Sequence, residues 1–236
     1  MERQLSDLLR AVCSGETHAV SRMLATKPDL ATTHFAEGAT RQHASEFFLA
    51  DIAHYVYAGD TALHVAAAAF RRPIAELLIA QGADCRAKNR RGAEPLHYAA
   101  DANHWNPDAQ AEVIEYLVSV GADPNALDDS GVAPLHRAVR TRSLSAVRAL
   151  VQAGATPTQP NKAGSTPLHL AVQNTGRGGS GSQRAREQQA GIIALLLASG
   201  ARPSDRDRRG KPVSQAATSE WVRTLLTEPG SHWRAT

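Results

Sequence analysis

Cysteine is nearly absent from the 236-residue chain; Cys13 and Cys85 are the only two. They have no metal-ligand spacing and imply no disulfide framework, so both read as small buried or half-buried hydrophobes in a reducing cytosol. Long apolar runs are missing too. The longest, Ile192 to Ala198, is far shorter than the roughly 20 residues that cross a bilayer. The start, Met1-Glu2-Arg3-Gln4, has no apolar signal core behind it, so the expected location is cytoplasmic and the expected partners exclude membrane. No G-x-S-x-G, no metal-ligand cluster and no dinucleotide fingerprint occurs, so neither a cofactor nor a metal is implied. Charge is not one-sided. The net charge is +3 with a pI of about 9.1, and the bases, mostly arginine, are interspersed with acids. That balance suits an anionic or mixed-charge partner and falls well short of a nucleic-acid-binding tail. The Ala- and Arg-rich, Lys-poor usage points to a GC-rich bacterial genome.

What the chain does have is a seven-residue block used repeatedly. Thr61-Ala62-Leu63-His64-Val65-Ala66-Ala67 recurs as Glu94-Pro95-Leu96-His97-Tyr98-Ala99-Ala100, then from Ala133 to Val139 and from Thr166 to Val172. A worn copy runs from Lys211 to Ala217. The third residues, Leu63, Leu96, Leu135, Leu168 and Val213, are 33, 39, 33 and 45 positions apart. A block recurring on a base period near 33 is the signature of a stacked helical solenoid. Thr61 and Thr166 suit helix N-caps, and proline just inside a helix start sacrifices no hydrogen bond. Each block leads to an apolar second helix and then to a glycine: Gly82, Gly121, Gly154 and Gly200. Glycine past a helix end takes the left-handed backbone cheaply, so these four read as helix stops.

The T-P-L-H-x-A-A block at this period resembles the ankyrin repeat family, over nearly the whole chain. The resemblance implies an all-α solenoid with degenerate N- and C-terminal capping repeats. Residues 1–30 form the N-cap repeat, 31–57 an aromatic-rich insertion, and 58–92, 93–131, 132–164 and 165–210 the repeats. Residues 211–227 form the C-cap and 228–236 a tail. The resemblance also implies that His64, His97, His136 and His169 bond to a neighbouring turn backbone. A row of metal ligands is excluded, because one histidine per repeat spreads them along the axis. The implied activity is that of a scaffold holding another protein in a concave groove lined by turns and first helices.

Three insertions depart from the plain pattern. Residues 31–57 concentrate Phe35, Phe47, Phe48, Tyr55 and Tyr57 in a chain only 5% aromatic. Ser45 to Ala53 reads there as a short amphipathic helix capped by Ser45. The rings either shield the open end of the stack or form a lid or wall over the groove. Asp101 to Asp108 lengthens one inter-helix junction and carries His104 and Trp105, the latter either plugging its own gap or facing a site. Asn174 to Ser182 lengthens the same junction two repeats later. Its four glycines suit a flexible loop or an anion-binding nest, and it is no P-loop.

Two functional expectations follow. A protein partner with an acidic or mixed-charge surface would meet Tyr57, Asp60, Arg90, Arg91, Tyr98, Trp105, Arg137 and Arg140 along the groove. Alternatively, an anionic small molecule would bind at a rim between the two junction insertions, held by Arg140, Arg142, Asn174 and Arg177. In an enzymatic version Asp101, His104 and Arg140 would be catalytic, with Asp101 or His104 moving a proton in a non-redox lyase or cyclisation step.

Overall fold

A computed structural model of the chain describes residues 2–101, 106–174 and 181–227. Its helices are α1 (Glu2–Ser14), α2 (Thr17–Thr26), α3 (Ala62–Ala68), α4 (Arg72–Ala80), α5 (Pro95–Ala99), α6 (Pro107–Ser119), α7 (Pro134–Arg140), α8 (Leu144–Gln152), α9 (Pro167–Ala171), α10 (Gln183–Ala198), α11 (Val213–Ala216) and α12 (Glu220–Thr227). Helices α1 to α10 pair as five successive hairpins, and α11 packs on α9 and α12 on α10. First helices α1, α3, α5, α7 and α9 stack in one row, and second helices α2, α4, α6, α8, α10 and α12 stack in another. Leu63, Leu96, Leu135 and Leu168 are almost wholly buried between the rows, as are the alanines that follow them. Small residues at those alanine positions let the two helix layers approach closely, and the apolar surface they remove from water is the main stabilising term.

The block histidines weld each repeat to the next. His64 Nδ1 accepts the Thr61 N–H at 3.1 Å, and its Nε2 lies 3.1 Å from the Ala93 carbonyl of the following turn. His97 does the same with Glu94 and Val132, His136 with Ala133 and Ser165, and His169 with Thr166 and Lys211. Because Nδ1 accepts a backbone N–H, the proton sits on Nε2 and is donated to the carbonyl. The histidine supplies the reach back to the N-cap N–H at Ala133 as well as at the threonines.

The turns between repeats are built on one side chain each. Asn89, Asp128, Asn161 and Asp207 each accept two backbone N–H bonds, two and four residues on. Adjacent turns are then stitched by backbone: Arg90 N–H to the Ala58 carbonyl, Asp129 to Arg91, Lys162 to Ser130 and Arg208 to Ala163. Gly131 shows why glycine ends such a turn. Its φ is +69°, and a Cβ there would meet the Lys162 backbone nitrogen at 2.8 Å.

The two junction insertions lie between α5 and α6 and between α9 and α10. Plain repeats close this junction with backbone: Arg71 N–H donates to the Ala66 carbonyl and Ser143 N–H to the Ala138 carbonyl. In the lengthened repeats a buried glutamine on the second helix reaches the corresponding carbonyl. Gln110 Nε2 donates to the Ala99 carbonyl at 2.9 Å, and Gln189 Nε2 to the Ala171 carbonyl at 2.6 Å. These carbonyls occupy the same position of the block, three residues past its leucine. The second helices are correspondingly longer, 13 and 16 residues against 9 for α4 and α8.

The insertion of residues 31–57 corrects one expectation. Ser45 to Ala53 is not an amphipathic helix. Short 3-10 turns at Ser45–Phe47 and Ala50–Ile52 flank strand β1 (Phe48–Leu49), which pairs antiparallel with β2 (His54–Tyr55). Ala53 takes φ +47° to reverse the chain. The hairpin buries Ile52 and Val56 in the core and leaves Phe48 and Tyr55 outward, a division that one helical face of nine residues does not provide.

Candidate functional site

The insertion folds onto the face made by the turns and first helices. The His54 ring stacks on the Tyr98 ring of α5 with centroids 4.5 Å apart. Phe35 N–H donates to the Asp60 carbonyl, and Gly59 N–H to the Phe35 carbonyl. Arg90 Nη2 donates to the Ala39 carbonyl. The hairpin strands present Phe48 and Tyr55 to solvent, 42% and 39% exposed, with ring centroids 4.8 Å apart. Behind it, Leu5 and Leu9 of α1 face Phe35, Phe47, Leu49 and Val56 across a mainly apolar cavity of about 600 Å³.

Beneath His54 lies a buried polar cluster. Asp60 is fully buried and accepts from three donors: Tyr57 N–H at 2.7 Å, Asn89 Nδ2 at 2.8 Å, and the Tyr98 hydroxyl, which lies 2.8 Å from each carboxylate oxygen. Burial raises the Asp60 pKa, and these donors work against the rise. Burial also raises the Tyr98 pKa, reinforced by the Asp60 charge and hydrogen bond. The His54 pKa is lowered, chiefly by burial. The cluster is internally satisfied, which is the condition under which buried polar groups are tolerated.

A second cluster spans α5 to α7. Arg137 donates from Nη1 to Asp101 Oδ2 at 2.9 Å and from Nη2 to Asp128 Oδ2 at 3.1 Å. Arg140 Nη2 meets the other Asp101 oxygen at 3.2 Å, with its side chain 62% exposed. Burial pulls the Arg137 pKa down, and the two carboxylates more than offset that, leaving it raised.

Three residues expected to meet a partner therefore sit below the surface: Asp60, Tyr98 and Arg137. The reason is the insertion and the turn chemistry. Asp60 and Tyr98 saturate one another under the hairpin, and Arg137 neutralises two acids from adjacent elements. Tyr57, Arg90, Arg91 and Arg140 remain accessible on the same face. At the rim, Asp101 and Arg140 meet. Arg142 turns elsewhere. With φ +58°, it donates from Nη2 to the Gln173 and Asn174 carbonyls at 3.2 and 3.1 Å, capping the end of the first helix of the next repeat. Its hydrogen bond to Asn174 goes to the backbone carbonyl. His104, Trp105, Arg177 and the glycines from Gly176 to Gly179 lie outside the described residues. Sequence reasoning passed over Gln110, Gln189 and His54. The glutamines carried a signal, a polar residue eleven positions before the glycine helix stop in both lengthened repeats.

Among the described residues no group of three or more His, Cys, Asp and Glu side chains is placed to hold a metal ion. Nor is any described helix long and apolar enough to cross a membrane. A search of curated proteins found no match to the chain. A family model describing three copies of the ankyrin repeat matches residues 8–128 and 107–207. Together those matches take in all four full blocks, their bridging histidines and the turns stitched between them, and so the chain belongs to the ankyrin-repeat family.

Proposed function

We infer that the chain is a binding scaffold and that its partner is a protein held on the face of turns and first helices. Ankyrin repeats are in general protein–protein interaction scaffolds. The observation that carries the reading here is the exposed Phe48–Tyr55 pair, standing on that face beside Tyr57, Arg90, Arg91 and Arg140. Aromatic and arginine side chains dominate interface energetics, and a rigid hairpin holds these aromatics with little entropy left to lose on binding. Arg90, Arg91 and Arg140 are exposed on this face, which favours an acidic or mixed-charge partner. The apolar recess behind the hairpin would take a partner's aliphatic or aromatic side chain. The rim supports an enzymatic reading less well. Asp101 gives both carboxylate oxygens to arginines, and Arg142 donates to backbone carbonyls.

A photo-crosslinking residue placed at Tyr55 or Arg140 should give one discrete protein adduct in cells. The same residue at Glu115, exposed on second helix α6, should give none. The Phe48→Ala/Tyr55→Ala double variant should weaken that adduct's binding by about tenfold or more without lowering the melting temperature. Equal adducts from both faces, or binding unchanged in the double variant, would overturn the reading.

A further inference from the structure

Close to the hairpin base, three arginines line one recess whose lining holds no acid. Arg41 from the insertion and Arg90 and Arg91 from the following turn line one recess of about 540 Å³, together with Thr40, Tyr55 and Tyr57. Arg90 and Arg91 both lie over the Tyr57 ring, their central carbons 5.6 and 4.9 Å from its centroid. Arg90 is additionally anchored to the Ala39 carbonyl. Among the described residues, no ion pair joins any of the three to a carboxylate. The contrast within the same chain is plain. Arg137 has two carboxylates, Arg140 has one, and even the surface residue Arg72 holds Glu76 at 2.8 Å.

Three like charges around one recess repel one another, and the only partners they have there are a π-face and a carbonyl. An anion entering the recess removes that repulsion. A carboxylate matches one guanidinium fork, whereas the dianion of a phosphate monoester has three terminal oxygens and charge enough for two forks at once. Tyr55 also lines the recess, and its ring suits a flat ring behind the phosphate. We propose that this recess binds a phosphate monoester carried on an aromatic ring, with Arg41 and Arg91 gripping the phosphate and Tyr55 packing on the ring. Arg90 positions Tyr57 and the insertion. Two sources carry this chemistry: a phosphorylated tyrosine presented by a protein partner, and a free aromatic phosphate ester. The first source rests on the scaffold reading above; the recess itself does not.

The test is calorimetric titration of the full chain with phenyl phosphate, inorganic phosphate and a short phosphotyrosine peptide. Phenyl phosphate should bind, with inorganic phosphate about fivefold or more weaker because it offers no ring. Arg41→Gln and Arg91→Gln should each reduce phenyl phosphate affinity by about tenfold, with the melting temperature unchanged. Arg148→Gln, on the exposed side of α8, should leave it unaltered. A peptide binding about tenfold tighter than phenyl phosphate assigns the ligand to a protein; equal affinity assigns it to a free ester. No heat with phenyl phosphate, affinity no better than for inorganic phosphate, or undiminished binding in both variants would overturn the site. None of these titrations requires the groove partner, so failure here and failure of the crosslinking experiment are separate results.

Discussion

Replacing Arg137 by alanine is expected to destabilise the chain by about 3–5 kcal/mol, the loss typical when one partner of a buried ion pair is removed. The Arg137 side chain is 10% exposed, and the Asp101 and Asp128 side chains it bridges are 9% and 8% exposed. Without the guanidinium two carboxylates remain in a poorly hydrated site, and only the exposed Arg140 reaches one of them. Asp128 matters doubly, since its Oδ1 also closes a turn through Ser130 and Val132 N–H. Burial raises its pKa, but those N–H bonds and Arg137 hold it below the ordinary carboxylate value. The melting temperature should fall by roughly 6–20 °C for a chain of this size. Removing all three charges together, as Arg137→Met/Asp101→Asn/Asp128→Asn, should recover most of the loss. Asparagine is already the turn residue at Asn89 and Asn161, so Asp128→Asn keeps the turn. A drop below about 1 kcal/mol for Arg137→Ala, or a triple variant no better than the single one, would show that the site is hydrated and the bridge energetically minor.

Acid is expected to weaken the fold well above the pH at which carboxylates titrate. Burial lowers the His64 pKa to about 3 and that of His97 to about 4, from an ordinary 6.5, and it lowers that of His136 too. Above pH 6.5 these rings are neutral in the folded and unfolded chain, and protonation has no effect on stability. As pH falls below 6.5 the unfolded chain takes up protons that the folded chain refuses, so stability is lost progressively toward the folded values. At pH 5 that is about 2 kcal/mol for each of His64 and His97, taking about 1.4 kcal/mol per pH unit. The sum is a large share of the roughly 5–15 kcal/mol available to a typical domain. Thermal melts at pH 7.5 and 5 should differ by about 8–16 °C. Ring resonances of His64 and His97 should stay in the neutral form at pH 5 while the chain remains folded. Equal melting temperatures, or a midpoint near 6.5 for either ring, would refute the linkage and with it the tight seal around the bridge to the next turn.

The repeat and its helix stops were legible from residue order because each depends on chemistry within one or two repeats, and the bridging role of the histidines was implied by the family resemblance. Proline can sit at the first helical position of Pro95, Pro134 and Pro167 whatever surrounds it. Gly82, Gly121, Gly154 and Gly200 take positive φ because the helix must end there, and the backbone alone decides that. The accessible face was less legible. Residue type suggested that Asp60, Tyr98 and Arg137 would meet a partner, yet each is turned inward by a group far along the chain. Tyr98 reaches Asp60 across 38 positions and Arg137 reaches Asp101 across 36. The 45–53 segment reads as helical by composition, and the three-dimensional fold made it a hairpin. Ile52 and Val56 had a core to enter, and His54 had the Tyr98 ring to cover. Gln110 and Gln189 make the same point from the other side. Their sequence positions were visible, but only the helix pairing reveals that each donates to the block carbonyl three residues past the leucine of its own repeat. Local hydrogen-bond chemistry and backbone sterics are written in short words of sequence. Which polar side chain is buried depends on what packs over it, and that is decided when distant repeats come together.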